Sequence, residues 1–104
     1  MKTIQRKPTS PGEILRHEFL EPLGISQRTL ARHIGCDIKV INRIVNERSS
    51  LTAEIALKLA AAFETTPDFW LAAQKAIDIY KAAGTMRKLP AAFSRTRLHG
   101  TRAA

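Results

Sequence analysis

Five times between Ser10 and Thr66, a serine, threonine or aspartate stands directly before a run with apolar residues at helical spacing. Side-chain oxygens at such positions accept the free N–H groups of a helix's first turn, so each one marks a helix start. Ser10-Pro11-Gly12-Glu13 has the form of a capping box with proline in the first helical position. It opens a first helix that runs to about Leu20, buries Ile14, Leu15, Phe19 and Leu20, and is stopped by Pro22 and Gly24. Ser26 can cap a second helix from Gln27 to Ile34, closed by Gly35, and Asp37 a third from Ile38 to about Asn46. Thr52 can cap a fourth from Ala53 to about Glu64, and Thr66-Pro67-Asp68 a fifth that runs to about Ala83, before Gly84. Two valines against fifteen alanines also favour helix over strand. The expectation is an all-α domain of five helices.

A chain of 104 residues has room for one core and not for two. Its hydrophobic share of 44% and charged share of 25% are those of a folded globular chain. Cys36 is the single cysteine, so no disulfide within the chain and no cysteine-rich zinc cluster can form. The longest uninterrupted apolar runs, 59–63 and 69–73, are far too short for a spanning helix, and no membrane partner is expected. Met1 to Pro8 carries positive charge without an apolar stretch behind it, unlike a signal peptide. These features predict a soluble, cytoplasmic protein.

The formal charge is +8, and its distribution is uneven. Residues 1–12 hold Lys2, Arg6 and Lys7 with no acid, and residues 85–104 hold Arg87, Lys88, Arg95, Arg97 and Arg102 with no acid. Residues 13–84 carry equal numbers of basic and acidic side chains. The chain therefore divides into a basic arm (1–9), a neutral helical domain (10–84) and a basic tail (85–104). Such ends suit a polyanion-binding protein, and equally a solubilising surface.

Only three residues separate the second and third helices. In the second, Leu30, Ala31 and Ile34 form the inward face while Arg28 and Arg32 point outward. In the third, Ile41, Ile44 and Val45 share one face. The opposite face centres on Lys39, Arg43 and Asn46, with Asn42 on its shoulder and Ile38 and Val40 on the flanks.

The segment from Gln27 to Ile44, with Ala31, Gly35, Ile41 and Ile44 at its key positions, resembles the helix-turn-helix of the Xre (Cro and phage-repressor) DNA-binding family. Stretches 11–15, 18–27, 51–60 and 65–71, followed by Gln74, resemble the HigA-type antitoxins; together they span about residues 11–80. The resemblance implies a compact five-helix, lambda-repressor-like domain, which the basic C-terminal tail read from the charges then follows. It also implies a non-enzymatic protein that represses its own operon and neutralises a cognate HigB-like ribonuclease toxin. Glu47 departs from the family pattern, which has a glycine ending the third helix, so a longer or strained turn is expected there. Residues 85–104 match no family pattern.

In this family the third helix enters the major groove and the second crosses the backbone. Lys39 and Arg43 are then the candidates for base edges, each able to donate to guanine O6 and N7. Asn42 can pair with adenine or donate to a phosphate, and Asn46 shares its face. Ile38 and Val40 can touch thymine methyls or finish the packing between the helices. Gln27, in the first turn of the second helix, is a phosphate candidate, as are Arg28, Arg48 and Ser49. One recognition helix reads too few base pairs, so a homodimer on double-stranded operator DNA is expected. On the fifth helix, Phe69 and Trp70 from a broad apolar face, and Leu71 and Ile79 outside it, are the candidate dimer contacts. Packing of that helix by Met86, Leu89 or Phe93 of the tail is the alternative, and those three residues could form a short amphipathic helix.

Other chemistry finds little support. His17-Glu18 opens like a zinc-protease motif, but Glu21 stands where the second histidine belongs. There is no glycine-rich phosphate loop, and no metal, cofactor or small-molecule ligand is expected. Two alternatives stand beside the antitoxin reading. One is a stand-alone Xre-type repressor; the other is a small basic nuclease using His33, Lys39, Arg43 and Glu47.

Overall fold

In the computed structural model, which describes residues 6–93, the capping box forms as its residue types require. Ser10 N–H donates to Glu13 Oε1 at 2.9 Å, and Glu13 N–H donates back to Ser10 Oγ at 3.1 Å. The first helix, α1, opens as Pro11–Ile14, widens into a π-helical stretch at Leu15–Leu20, and finishes as Glu21–Leu23. Sequence reasoning ended this helix at about Leu20; it runs on through Pro22. Proline lacks an N–H, and its ring collides with the carbonyl four residues back in a regular α-helix. The wider i→i+5 turns just upstream, such as Glu21 N–H to the Arg16 carbonyl, relieve that collision. Gly24, at φ 66°, then ends the helix.

The next three helices start on their expected caps. Ser26 Oγ accepts from Thr29 N–H at the head of α2 (Gln27–Ile34), which Gly35 terminates at φ 75°. Asp37 accepts from Lys39 N–H at 2.8 Å and starts α3 (Ile38–Val45). Thr52 caps α4 (Ala53–Phe63). Thr66 caps α5 (Pro67–Thr85), which does not stop before Gly84 as predicted. Gly84 has no left-handed φ and stays helical; the chain turns extended at Met86, whose N–H still reaches the Ala82 carbonyl. A glycine permits a helix end but does not impose one. No helix forms over Met86, Leu89 and Phe93, and all three are exposed.

The core is a single cluster in which Leu15, Ile41, Leu59 and Trp70 are fully buried. Trp70 satisfies its indole N–H by donating to Thr65 Oγ1 at 2.8 Å, and Phe19, Phe63 and Phe69 stack around it. Small residues sit where helices cross. Ala31 and Ala56 are buried, and Gly12 lies directly against the backbone of α3. A Cβ at Gly12 would overlap the Ile44 carbonyl oxygen and stand 3.0 Å from Val45 Cα. The α1 start and the α3 end are thus locked together through backbone.

Candidate nucleic-acid interface

The amphipathicity of α3 divides its residues cleanly. Ile41, Ile44 and Val45 are buried, which fixes the helix against α1 and α2. Lys39, Asn42, Arg43 and Asn46 are all exposed and form one polar, cationic ridge. Ile38 and Val40 are half-buried and pack against the core, so their first role is holding α3 in place.

The ridge is tied to the neighbouring helix. Asn42 Nδ2 donates to Gln27 Oε1 at 3.2 Å, joining the middle of α3 to the first turn of α2. Asn46 Nδ2 donates to the Asn42 carbonyl at 3.0 Å, so part of its amide closes the helix end. Arg28 is exposed on α2, and Arg48 and Ser49 are exposed in the turn after α3. Those last two line a shallow cleft of about 170 Å³ together with Ser10, Gly12 and Glu47.

The turn after α3 is strained as its sequence implies. Glu47 has a φ of 58°, the left-handed region that costs a non-glycine residue about 1–2 kcal/mol. Its N–H donates to the Ile44 carbonyl, and its carboxylate accepts from Lys7 Nζ at 3.0 Å. The hydrogen bond from Lys7 holds the Glu47 carboxyl below the usual carboxylate range. Sequence reasoning did not find this pair, nor the close approach of Gly12. The available signal was charge: Glu47 is the only acid between Asp37 and Glu54, and the arm has only bases.

One of the four proposed dimer contacts, Trp70, is corrected, and the other three keep some exposed surface. Trp70 is fully buried in the protein's own core and offers no surface, because the aromatic cluster of α1 and α4 closes over it. Leu71 is half-buried and packs against the same core. Phe69 and Ile79 remain outside, at 40% and 52% exposure. Among the described residues, Met86, Leu89 and Phe93 are each more than half exposed as well, and Phe69 and Ile79 keep their exposure beside them.

The residues of the nuclease alternative are not assembled. Glu47 is engaged by Lys7, while His33 lines a separate depression with Lys58, Ala61 and Ala62. Burial pushes the Cys36 thiol up, away from a reactive thiolate. Among the described residues no group of three histidine, cysteine or carboxylate side chains could hold a metal ion. Nor, among them, is any helix long and apolar enough to cross a membrane.

The pattern is found in known proteins. A helix-turn-helix family profile matches residues 17–70. The chain is 44% identical over 80 residues to antitoxin HigA-1 of Vibrio cholerae serotype O1, covering 77% of this chain and 75% of that one. It is 41% identical over 87 residues to the helix-turn-helix-type transcriptional regulator YbaQ of Escherichia coli K12, covering 84% and 77%. Its fold is similar to that of Pseudomonas aeruginosa antitoxin HigA solved with the higBA promoter, at a TM-score of 0.72 and 36% identity over 74% of this chain and 84% of that one. Five helices among the described residues, the exposed ridge on the third and these likenesses agree: the chain belongs to the Xre-type helix-turn-helix family of DNA-binding regulators, which includes the HigA antitoxins.

Proposed function

We propose that this protein is an antitoxin that binds operator DNA as a homodimer, represses its own operon and neutralises a cognate HigB-like ribonuclease toxin. The observation that carries the DNA-binding part is the cationic and amide ridge of α3, held outward by three buried aliphatics on its other side. In this reading α3 lies in the major groove, with Lys39 and Arg43 donating to guanine edges. Asn42, steadied by Gln27, presents its remaining amide atoms to a base or a phosphate. Arg28, Arg48 and Ser49 neutralise or hydrogen-bond phosphates on either side.

Dimerisation would use the outward side of α5. Ile79 is 52% exposed on a helix whose last turns, from Lys81 to Thr85, are wholly exposed. Among the described residues Ile79 stays half exposed, and an apolar partner surface is the simplest cover for it. Toxin neutralisation draws its support from the similar antitoxins of Vibrio and Pseudomonas. The second reading, a stand-alone repressor, is favoured by the likeness to YbaQ of Escherichia coli K12, a helix-turn-helix-type transcriptional regulator.

The test is to purify the chain alone and co-expressed with the product of the adjacent small gene, and to measure binding to the shared promoter. The proposal expects a stable protein pair, promoter-selective binding, and relief of ribonuclease toxicity. Promoter binding with no partner and no relief of toxicity would leave the stand-alone repressor. Sedimentation of Ile79→Glu beside the parent tests the dimer: a dimer mass in both would clear Ile79 of that role.

A further inference from the structure

The N-terminal segment is held against the exit of α3. Lys7 Nζ donates to Glu47 Oε1 at 3.0 Å, across forty residues of sequence. Glu47 is the only acidic side chain in a stretch that also holds Lys39, Arg43 and Arg48. Its direction is set by the turn: Glu47 N–H reaches the Ile44 carbonyl at 3.0 Å, and Arg48 N–H reaches the Arg43 carbonyl at 2.7 Å. Two consequences follow. The lysine offsets the negative charge of Glu47 beside Arg48, in a cleft that Asp78 and Lys81 also line. It also fixes the chain just after Arg6, whose side chain is exposed, beside the turn that carries Arg48 and Ser49.

Resting on the DNA-binding reading, we propose that Arg6 is a further duplex contact, placed against a backbone phosphate by the Lys7–Glu47 tether. The partner chemistry is the phosphodiester chain and not a base edge, because Arg6 lies off α3, the helix that reads the bases. Its contribution is therefore independent of sequence. Releasing one condensed counterion changes the slope of log affinity against log salt by about 0.9, or about fivefold to tenfold in affinity near ~0.1 M salt.

The experiment is fluorescence anisotropy of the full chain on its own promoter duplex and on a scrambled duplex, over a salt series. Arg6→Ala is expected to weaken both by about fivefold to tenfold per subunit and to lower the salt slope by about 0.9 per subunit. Placed in a Glu47→Gln background, the same substitution should cost less than half that factor, because the tether is already gone. Charge counting alone predicts that Glu47→Gln tightens binding; the tether predicts no gain. An unchanged salt slope for Arg6→Ala, with Arg43→Ala still lowering promoter affinity, overturns the contact and leaves the DNA-binding reading intact. Equal costs of Arg6→Ala in both backgrounds overturn the tether. A parent protein without promoter preference overturns the reading on which both rest. The buried Trp70 gives a fluorescence check that each variant is folded.

Discussion

Replacing Gly12 with alanine tests the packing that positions the reading helix. The added Cβ would overlap the Ile44 carbonyl oxygen and meet the Ile44 carbonyl carbon at 2.9 Å and Val45 Cα at 3.0 Å. All three are backbone atoms of α3, so no side-chain rotation relieves the clash, and α1 and α3 must move apart. Overpacking of this kind costs about 1–3 kcal/mol. Alanine recovers at most about 0.5–1 kcal/mol of the entropy that glycine loses in a helix. The net expectation is a loss of about 1–2 kcal/mol, or roughly 5–15 °C in melting temperature for a domain of this size. Gly84→Ala is the matched control, because its helical site has nothing within 4 Å of the new carbon. That substitution should be neutral or raise stability by up to about 1 kcal/mol. Denaturant titration followed by Trp70 fluorescence measures both. If Gly12→Ala matches Gly84→Ala in stability and binds promoter DNA like the parent, the close α1–α3 crossing is not what places α3.

Arg43 is exposed and bonds to no other side chain among the described residues, so Arg43→Ala should leave the melting temperature unchanged. It should weaken promoter binding by about 1–3 kcal/mol and relax preference at one base pair, as a binding series over single-base variants would show. Ser10→Ala removes both the cap of α1 and a buried hydroxyl, and should cost about 1 kcal/mol by denaturant titration. Glu64 ends α4 at a φ of 56°, so Glu64→Gly should raise stability by about 1 kcal/mol; a loss would show that this turn is not strained. The Glu47 carboxyl is held below its usual value of about 4.3, mainly by the hydrogen bond from Lys7. Its stabilisation is present above that value and disappears as pH falls through the lower folded one. The stability advantage of the parent over Glu47→Gln should accordingly begin to shrink as pH falls below about 4.3 and continue to fall until the folded-state carboxyl is protonated; an advantage that stays constant with falling pH would contradict the pairing.

Local chemistry was legible from sequence, and contacts across the chain were not. Ser10, Ser26, Asp37, Thr52 and Thr66 each start a helix where predicted, because a cap bonds only to its own first turn. The division of α3 into buried Ile41, Ile44 and Val45 and exposed Lys39 and Arg43 likewise follows from a single helix's period. Pro22 and Gly84 do not end their helices because a breaker permits an end without imposing one: wider turns upstream make room for the proline ring, and the exposed Gly84 keeps helical dihedrals. The misassignment of Trp70 has a different origin: an apolar residue on α5 could face the core or a partner, and only packing against Phe19 of α1 and Phe63 of α4 decides which. Glu47 lies between these cases. Its position announced a strained turn, but its lysine partner lies forty residues away.

The central claim is that α3 enters the major groove, and guanine N7 protection tests it most directly because that atom lies only in that groove. Dimethyl sulphate footprinting of the promoter with the purified protein should protect guanines in two clusters centred about 10 base pairs apart. Arg43→Ala should lift protection at one guanine in each cluster. Full reactivity at every guanine N7 while the protein is bound would contradict the account.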